Sequence, residues 1–300
     1  MPLVVNGTAV IMNKKNIPTL GVASSIGGPS DSCARAPAVL QSSAFSSLLS
    51  VELEWQPLLE VCSKNKNSLD MLHKQSRVIS QFSQQQFDDN KSFLILGGDH
   101  SIAVGTWAGI MNQMPASSSF ALVWIDAHMD AHTFESSPSG NIHGMPVSVL
   151  LGEAGHELQA CFPTERYLDG RDIYLFGVRS YEAEELFLLS KKKVNVFDTT
   201  RIEKGGGTQK VLKQIIQTIS RCYDYFAISL DLDAIDPEDA PGVETRTEKG
   251  LSAENLLAVF NQIDFGENFI GLEIAEFDPQ QDRQQKTEKL VYQIINSIYK

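Results

Sequence analysis

Phe120-Ala121-Leu122-Val123-Trp124-Ile125-Asp126-Ala127-His128-Met129-Asp130 joins six apolar residues to three polar ones at alternate positions. A continuous apolar run of this length reads as a strand buried on both faces, and such strands belong to parallel sheets with helices on either side. The polar tail marks where the strand stops. Two other stretches repeat the plan. The apolar segment ending at Leu96 runs into Gly97-Gly98-Asp99-His100-Ser101, and the segment from Tyr225 to Leu230 runs into Asp231-Leu232-Asp233.

Outward from these three, strand-like runs alternate with helical stretches along the whole chain. Strands are expected at 20–23, 92–96, 120–125, 172–176, 194–197, 225–230 and 269–274. Helices are expected at 36–49, 69–86, 102–111, 182–189, 208–222, 253–262 and 288–298. This alternation predicts an α/β fold with a mainly parallel central sheet. The chain has 300 residues and 42% hydrophobic content, enough for one large domain, although length alone admits two smaller ones. With no repeat and no long linker, residues 1–300 are expected to form one catalytic unit.

In an open α/β sheet, ligands bind beyond the carboxyl ends of the strands. His100, the triplet Asp126, His128 and Asp130, and the pair Asp231 and Asp233 all fall there, so three separate segments converge on one place. If the chain stays extended past the strand, the period of two turns all three members of the triplet to one side. Each aspartate alone is equally explained as a cap or a loop-amide acceptor. Six together, two imidazoles and four carboxylates without a thiolate, form an oxygen-rich donor set that suits Mn²⁺ better than structural zinc. Six side chains exceed the needs of one ion with an open position and fit two ions that share carboxylates and lower the pKa of a shared water. Two divalent ions, four aspartates and a hydroxide leave the site slightly negative, which favours a cationic substrate. Glu276, after another strand, would add to that charge.

Net charge is −12 and the isoelectric point is about 5.0, a surface that should repel phosphate backbones and anionic lipid, so neither nucleic acid nor membrane is expected as a partner. The four cysteines Cys33, Cys62, Cys161 and Cys222 are scattered and read as free thiols of a reducing compartment. No apolar stretch is long enough for a membrane span, and Met1–Asn6 does not resemble a secretory leader. A cytoplasmic location is expected.

The motifs Gly-Gly-Asp-His-Ser at 97–101, Asp-Ala-His-x-Asp at 126–130 and Ser-x-Asp-x-Asp-x-x-Asp-Pro at 229–237 resemble those of the ureohydrolases: arginase, agmatinase, formimidoylglutamase and relatives. Their order and spacing match over nearly the whole chain. The resemblance implies a three-layer α/β/α fold, two Mn²⁺ ions per chain, and hydrolysis of a guanidino or formimino carbon by a hydroxide that bridges the metals. It implies that Asp126 and Asp231 bridge the ions. His100 and Asp130 would complete one ion's ligands, and His128 and Asp233 the other's. It also implies that Asp130 orients the hydroxide and that Glu276 engages the guanidinium, a planar permanent cation suited to carboxylates.

Ser139-Gly140-Asn141-Ile142-His143-Gly144-Met145-Pro146 resembles the arginase loop in particular. By that resemblance Ser139 and Asn141 contact an α-carboxylate, and His143 shuttles protons and protonates the leaving amine, as an imidazole can near pH 7. Arginine hydrolysis to ornithine and urea is therefore expected, with another ureohydrolase substrate as the alternative. A small cationic guanidino substrate and a homo-oligomer, trimer or hexamer, are implied. The chain departs from the arginase pattern at His132, where an Asn is usual, and at Glu182, where an Asp is usual. It also departs at Glu244-Thr245-Arg246, which stands in place of Gly-Thr-Pro. His132, Glu182 and Thr245 are still expected among the substrate contacts. Arg246 is read either as a carboxylate contact or as an exposed loop residue.

Overall fold

The computed structural model describes residues 14–61 and 68–300. The stretch Met1–Asn6 and Cys62, read above from sequence, lie outside the described residues. Nine strands form one sheet: β1 (Asn16–Ala23), β2 (Glu52–Trp55), β3 (Leu59–Glu60), β4 (Phe93–Leu96), β5 (Phe120–Ile125), β6 (Ile173–Val178), β7 (Asn195–Asp198), β8 (Tyr225–Asp231) and β9 (Phe269–Ala275). Their order is β2-β1-β4-β9-β8-β5-β6-β7, with β3 also on β1, and every pairing between them is parallel.

The helices are α1 (Ala36–Gln41), α2 (Ser68–Asp88), α3 (Ala103–Gln113), α4 (Pro146–Leu150), α5 (His156–Gln159), α6 (Ala183–Lys192), α7 (Thr199–Lys204), α8 (Thr208–Cys222), α9 (Ala253–Gln262) and α10 (Lys286–Tyr299). They cover both faces. Alternate residues of each central strand feed opposite cores: Leu94 and Leu96 of β4 join one with α8, α9 and α10, while Phe93 and Ile95 join the other with α2 and α3. That division into two cores is why these strands are apolar at every position. In α8, Val211, Leu212, Ile215, Ile216 and Ile219 are the buried residues, the stripe a helix presents to one side of a sheet. The layering is the α/β/α arrangement anticipated.

The site depends on register. Leu96 pairs with Ile274, Ile274 with Leu230, and Leu230 with Ile125. The adjacent strands β4, β9, β8 and β5 therefore end level with one another, although they are far apart in sequence.

Some elements differ from expectation. The helix expected over 36–49 stops at Gln41, because the Ser43 hydroxyl accepts the Phe45 N–H at 3.1 Å and opens a separate 3-10 turn over Ala44–Leu48. The half-exposed edge strands β2 and β3 were not anticipated, lacking the continuous apolar run of the centre. Among the described residues Cys33, Cys161 and Cys222 are free, and no helix is long and apolar enough to cross a membrane.

Candidate metal centre and substrate cleft

At each strand end the chain turns by the same device. Asp99 Oδ1 accepts the Ser101 N–H at 2.9 Å, Asp126 Oδ1 the His128 N–H at 2.7 Å, and Asp231 Oδ1 the Asp233 N–H at 2.8 Å. An aspartate that bonds the amide two residues on forms a tight turn. This corrects the sequence argument, which relied on extended chain. The strands β5 and β8 end at Ile125 and Asp231, and residue pairs two apart face the same space because an aspartate-closed turn brings them round. Asp130 departs furthest, with φ 49°, a left-handed conformation that aspartate tolerates better than most residues. At Gly98 any side chain would strike the carbonyl of Ser24, since its Cβ would lie 1.6 Å from that oxygen. The glycine lets the β4 end press against β1, where Asp99 N–H bonds the same carbonyl at 3.1 Å.

Three carboxylate oxygens surround one nitrogen. Asp126 Oδ2, Asp130 Oδ2 and Asp231 Oδ2 each lie 3.2 Å from His100 Nδ1. His128 Nδ1 lies 3.0 Å from Asp233 Oδ2 and 3.5 Å from Asp126 Oδ1, so Asp126 belongs to both groups. His100 Nδ1 and Asp130 Oδ2 are buried without a hydrogen-bond partner despite this crowding. Buried polar atoms are paired as a rule. Nitrogen and oxygen donors gathered this closely without partners fit the donor set of a metal cation.

The groups behind them fix that aim. The Ser229 hydroxyl donates to Glu273 Oε1 at 2.7 Å and accepts from His100 Nε2 at 3.0 Å. The proton therefore sits on Nε2 and the lone pair on Nδ1. Trp124 stacks on the His100 ring at 4.1 Å between centroids and donates its indole N–H to Asp126 Oδ2 at 2.9 Å. The Arg179 guanidinium bonds the carbonyls of Gly177, Asp233, Ala234, Thr247 and Glu248, holding the Asp233 turn to the 244–249 loop. Asp99, Trp124, Arg179, Ser229 and Glu273 had no assigned role in the sequence reading. Asp99 and Ser229 stood in the quoted motifs, and Trp124 carried a signal of its own, since an indole inside an apolar run needs an acceptor.

Electrostatics show the same shortage of positive charge. Burial, with the Asp126 charge added, pushes Asp130 up to about 7. Burial and the charges of Asp233 and Asp126 raise Asp231 well above the carboxylate range, and Asp233 is raised for similar reasons. Burial resists charging His100 and His128, yet the surrounding aspartates pull both upward, and those imidazoles in turn hold Asp126 down against its own burial. A bound metal cation would supply the charge this cluster lacks.

A cavity of about 330 Å³ opens over the cluster. His128, Asp130, Asp231 and Asp233 form its floor, and Pro29, Ser139, Asn141, His143, His132, Glu182, Glu185 and Thr245 are among its walls. A larger hollow of about 730 Å³ lies at the opposite ends of the strands, around Asn16, Ser92 and Phe269, away from all of this chemistry. His143 Nδ1 bonds Glu276 Oε1 at 3.0 Å, and the same oxygen accepts the His100 N–H at 2.8 Å. Burial opposes charge on both members, but each outweighs it for the other: His143 rises to about 9 and Glu276 falls. Glu276, 1% exposed and at φ 65°, stands behind His143 and is absent from the cavity wall.

Of the expected substrate contacts, Ser139, Asn141, Thr245 and Glu182 do reach the cleft. His132 does too, but both its nitrogens are engaged, Nδ1 with Ser136 Oγ at 3.0 Å and Nε2 with Glu182 Oε2 at 2.8 Å. Arg246 is exposed and bonds the Pro241 and Gln281 carbonyls rather than facing the cleft.

A parallel α/β sheet with a carboxylate and imidazole cluster under a cleft at its strand ends has the layout of a metal-dependent hydrolase. The sequence profile of the arginase family matches residues 17–299, and the chain belongs to that family. The arginase of Bacillus subtilis is 36% identical over 225 residues, covering 73% of each chain. That of Entamoeba histolytica is 33% identical over 218 residues, covering 72% of this chain and 71% of the relative. The crystal structure of the Entamoeba histolytica arginase in complex with L-ornithine superposes with a TM-score of 0.84 at 27% identity, covering 96% of this chain and 99% of that one.

Proposed function

We propose that this chain is a dinuclear manganese arginase that hydrolyses L-arginine to L-ornithine and urea. One observation carries the reading: three aspartate oxygens converge on a buried His100 Nδ1 that has no hydrogen-bond partner, and the His100 N–H is bonded to the glutamate of the His143–Glu276 pair. His100, Asp126, Asp130 and Asp231 would hold one ion and Asp126, His128, Asp231 and Asp233 the other. Bound there, the ions supply Lewis acidity and a water deprotonated near neutral pH.

The chain's own groups do the rest. Asp130 orients the attacking water. His143, kept protonated by Glu276, delivers a proton to the departing amine. Glu276 places negative charge behind that imidazole, where a guanidinium is drawn toward the metals. Ser139 and Asn141 offer a hydroxyl and an amide to an α-carboxylate, and Thr245 completes the wall. Residues 1–300 act as one catalytic unit, in the cytoplasm, as a trimer or hexamer.

A second reading is a sister ureohydrolase acting on agmatine, a guanidino acid or formiminoglutamate. It is favoured by the His132–Glu182 bond, which removes a donor that a substrate carboxylate would use. Urea release from the manganese-loaded protein, measured with L-arginine and with agmatine at equal concentration, decides between them. Faster turnover of arginine supports the arginase reading. Faster turnover of agmatine, or no urea from either, ends it.

A further inference from the structure

Glu244 precedes Thr245 of the cleft wall but meets Glu276, the partner of His143. Val243 bridges Phe277 in antiparallel fashion, and the Asp278 N–H bonds the Gly242 carbonyl at 2.8 Å. That register sets Glu244 directly opposite Glu276. A carboxylate oxygen of each and the Cys33 sulfur lie within 4.8 Å of one another. Like charges directly opposite across two strands are destabilising, so an ionised pair here would work against the fold.

Donors reach the two carboxylates unequally. Glu276 Oε1 takes the His100 N–H at 2.8 Å and His143 Nδ1 at 3.0 Å, and Oε2 takes the Cys33 thiol at 3.7 Å. Burial and the charges of Glu276 and Glu244 push that thiol up, so it stays a donor. Glu244 is served on one side only. Its Oε1 accepts the Ser30 and Ser32 hydroxyls, whereas Oε2 is shut from solvent with no hydrogen-bond partner among the described residues. It packs on Gly28, where a Cβ would come within 2.7 Å of it. The groups around Glu244 are Asp99 on the β4 turn, Glu276 past β9, Cys33, His143, and Asp278 across Ser32. Arg246, two residues on, is spent on the Pro241 and Gln281 carbonyls. Burial and the charges of Glu276 and Asp99 raise Glu244, against the Ser30 hydrogen bond and the His143 charge. Two carboxylates this close keep one proton between them, and it stays on the one with fewer donors.

We infer that Glu244 is a positioning residue of the proton-transfer pair, standing beside Glu276 as a neutral carboxyl group near pH 7 and ionising in alkali, where its charge helps His143 keep its proton. The inference rests on the role that the proposed function gives His143. Neutral, Glu244 spares Glu276 a like charge at its back and leaves it aimed at the imidazole. Ionised, it adds to the negative field that holds the imidazolium, and the general acid stays charged over a wider alkaline range. Glu244 acts through Glu276 and touches no reacting atom.

The test compares the full-length manganese-loaded chain with Glu244→Gln, whose amide still accepts from Ser30 and Ser32 but cannot ionise. Infrared difference spectra near neutral pH should show the C=O band of a protonated carboxyl in the wild type that Glu244→Gln lacks and that fades as pH rises. The ratio of wild-type to variant kcat on L-arginine should widen about threefold between pH 7 and pH 10, because His143 in the variant gives up its proton about half a pH unit earlier. Glu244→Asp, which can still ionise, should recover part of that alkaline range. Melting temperature and metal content of each variant exclude misfolding. A merely structural strut would give a kcat ratio that is flat in pH. A flat ratio, or no such band in the wild type, overturns the inference and leaves the arginase reading standing. No urea from the wild type overturns that reading instead, and the presence or absence of the band still upholds or overturns a neutral Glu244.

Discussion

The floor of the cleft and its rim are made by different means. The floor stands on the level ends of β4, β9, β8 and β5, its proposed ligands are nearly all buried, and three of the six are held by a neighbour: Ser229 behind His100, Trp124 beside Asp126, Arg179 around the Asp233 turn. The rim stands on loops. Ser139 is exposed, Asn141 and Thr245 are half-buried, and the Ser139 hydroxyl accepts the Asn141 N–H at 3.2 Å. Groups on rigid elements can hold a reacting geometry to a fraction of an ångström, whereas loop groups adapt to the ligand. The floor should therefore fail all at once when altered and the rim by degrees.

The sharpest break is at Asp231, which faces His100 Nδ1 at 3.2 Å and sits on the strand end itself. Asp231→Ala is expected to lose bound metal and to lower kcat by at least about 10³-fold, since two-metal chemistry needs both ions. Metal content by plasma emission, alongside urea release, checks it. Normal turnover in this variant would falsify the dinuclear assignment.

The His143–Glu276 pair gives a pH signature in chelator-treated protein. Folding raises His143 from 6.5 to about 9, so the stability it contributes is fully present below 6.5 and is lost as pH rises through about 9. Folding lowers Glu276, so its share is present above 4.5 and is lost only as pH falls through the depressed value. Between about 5 and 6.5 both hold. There Glu276→Gln should cost on the order of 3 kcal/mol, the equivalent of the His143 shift, and the difference from wild type should shrink toward pH 10. Thermal melts across pH 5 to 10 measure it. A wild-type–variant gap that stays constant over that range would mean that the 3.0 Å contact carries no charge.

Ser229→Ala lies between floor and rim in consequence. It removes the acceptor for His100 Nε2 but no ligand, and such supporting groups are worth about 10–100-fold in metal affinity. Titration with Mn²⁺, followed by recovery of activity, should show weaker loading with kcat near wild type at saturation. A drop in saturated kcat as large as that of Asp231→Ala would place Ser229 among the reacting groups.

The same division governs what could be read from sequence. Continuous apolar runs gave away the buried central strands, and the proposed ligands stood out because polar residues stand where those runs end. The turn chemistry was half visible: an aspartate bonding its own loop amide and an aspartate facing a metal were weighed as alternatives, yet Asp126 and Asp231 do the first while standing where the second is expected. The edge strands β2 and β3 were illegible because they are only four and two residues long and carry no continuous apolar run. Supports such as Arg179 and Glu273 escaped notice because their partners are backbone carbonyls or residues distant in sequence. At the rim only a family likeness gave Ser139 and Asn141 a role, and nothing in the sequence foretold that His132 would be tied to Glu182.

The smallest effects are expected at the rim itself. The Asn141 side chain lines the cavity and Ser139 stands two residues before it on an exposed turn. Each offers one neutral donor to a substrate carboxylate, in contact with water, where a hydrogen bond is worth about 0.5–1.5 kcal/mol net. Asn141→Ala and Ser139→Ala should each raise KM for L-arginine about two- to tenfold and leave kcat almost untouched, because the contact is as strong in the ground state as in the transition state. With agmatine, which has no carboxylate, the same variants should barely move KM. Steady-state kinetics on both substrates separate the cases. Equal losses on arginine and agmatine would mean that the 139–141 turn shapes the floor rather than reading the substrate, and the contrast between the two ends of the cleft would have to be redrawn.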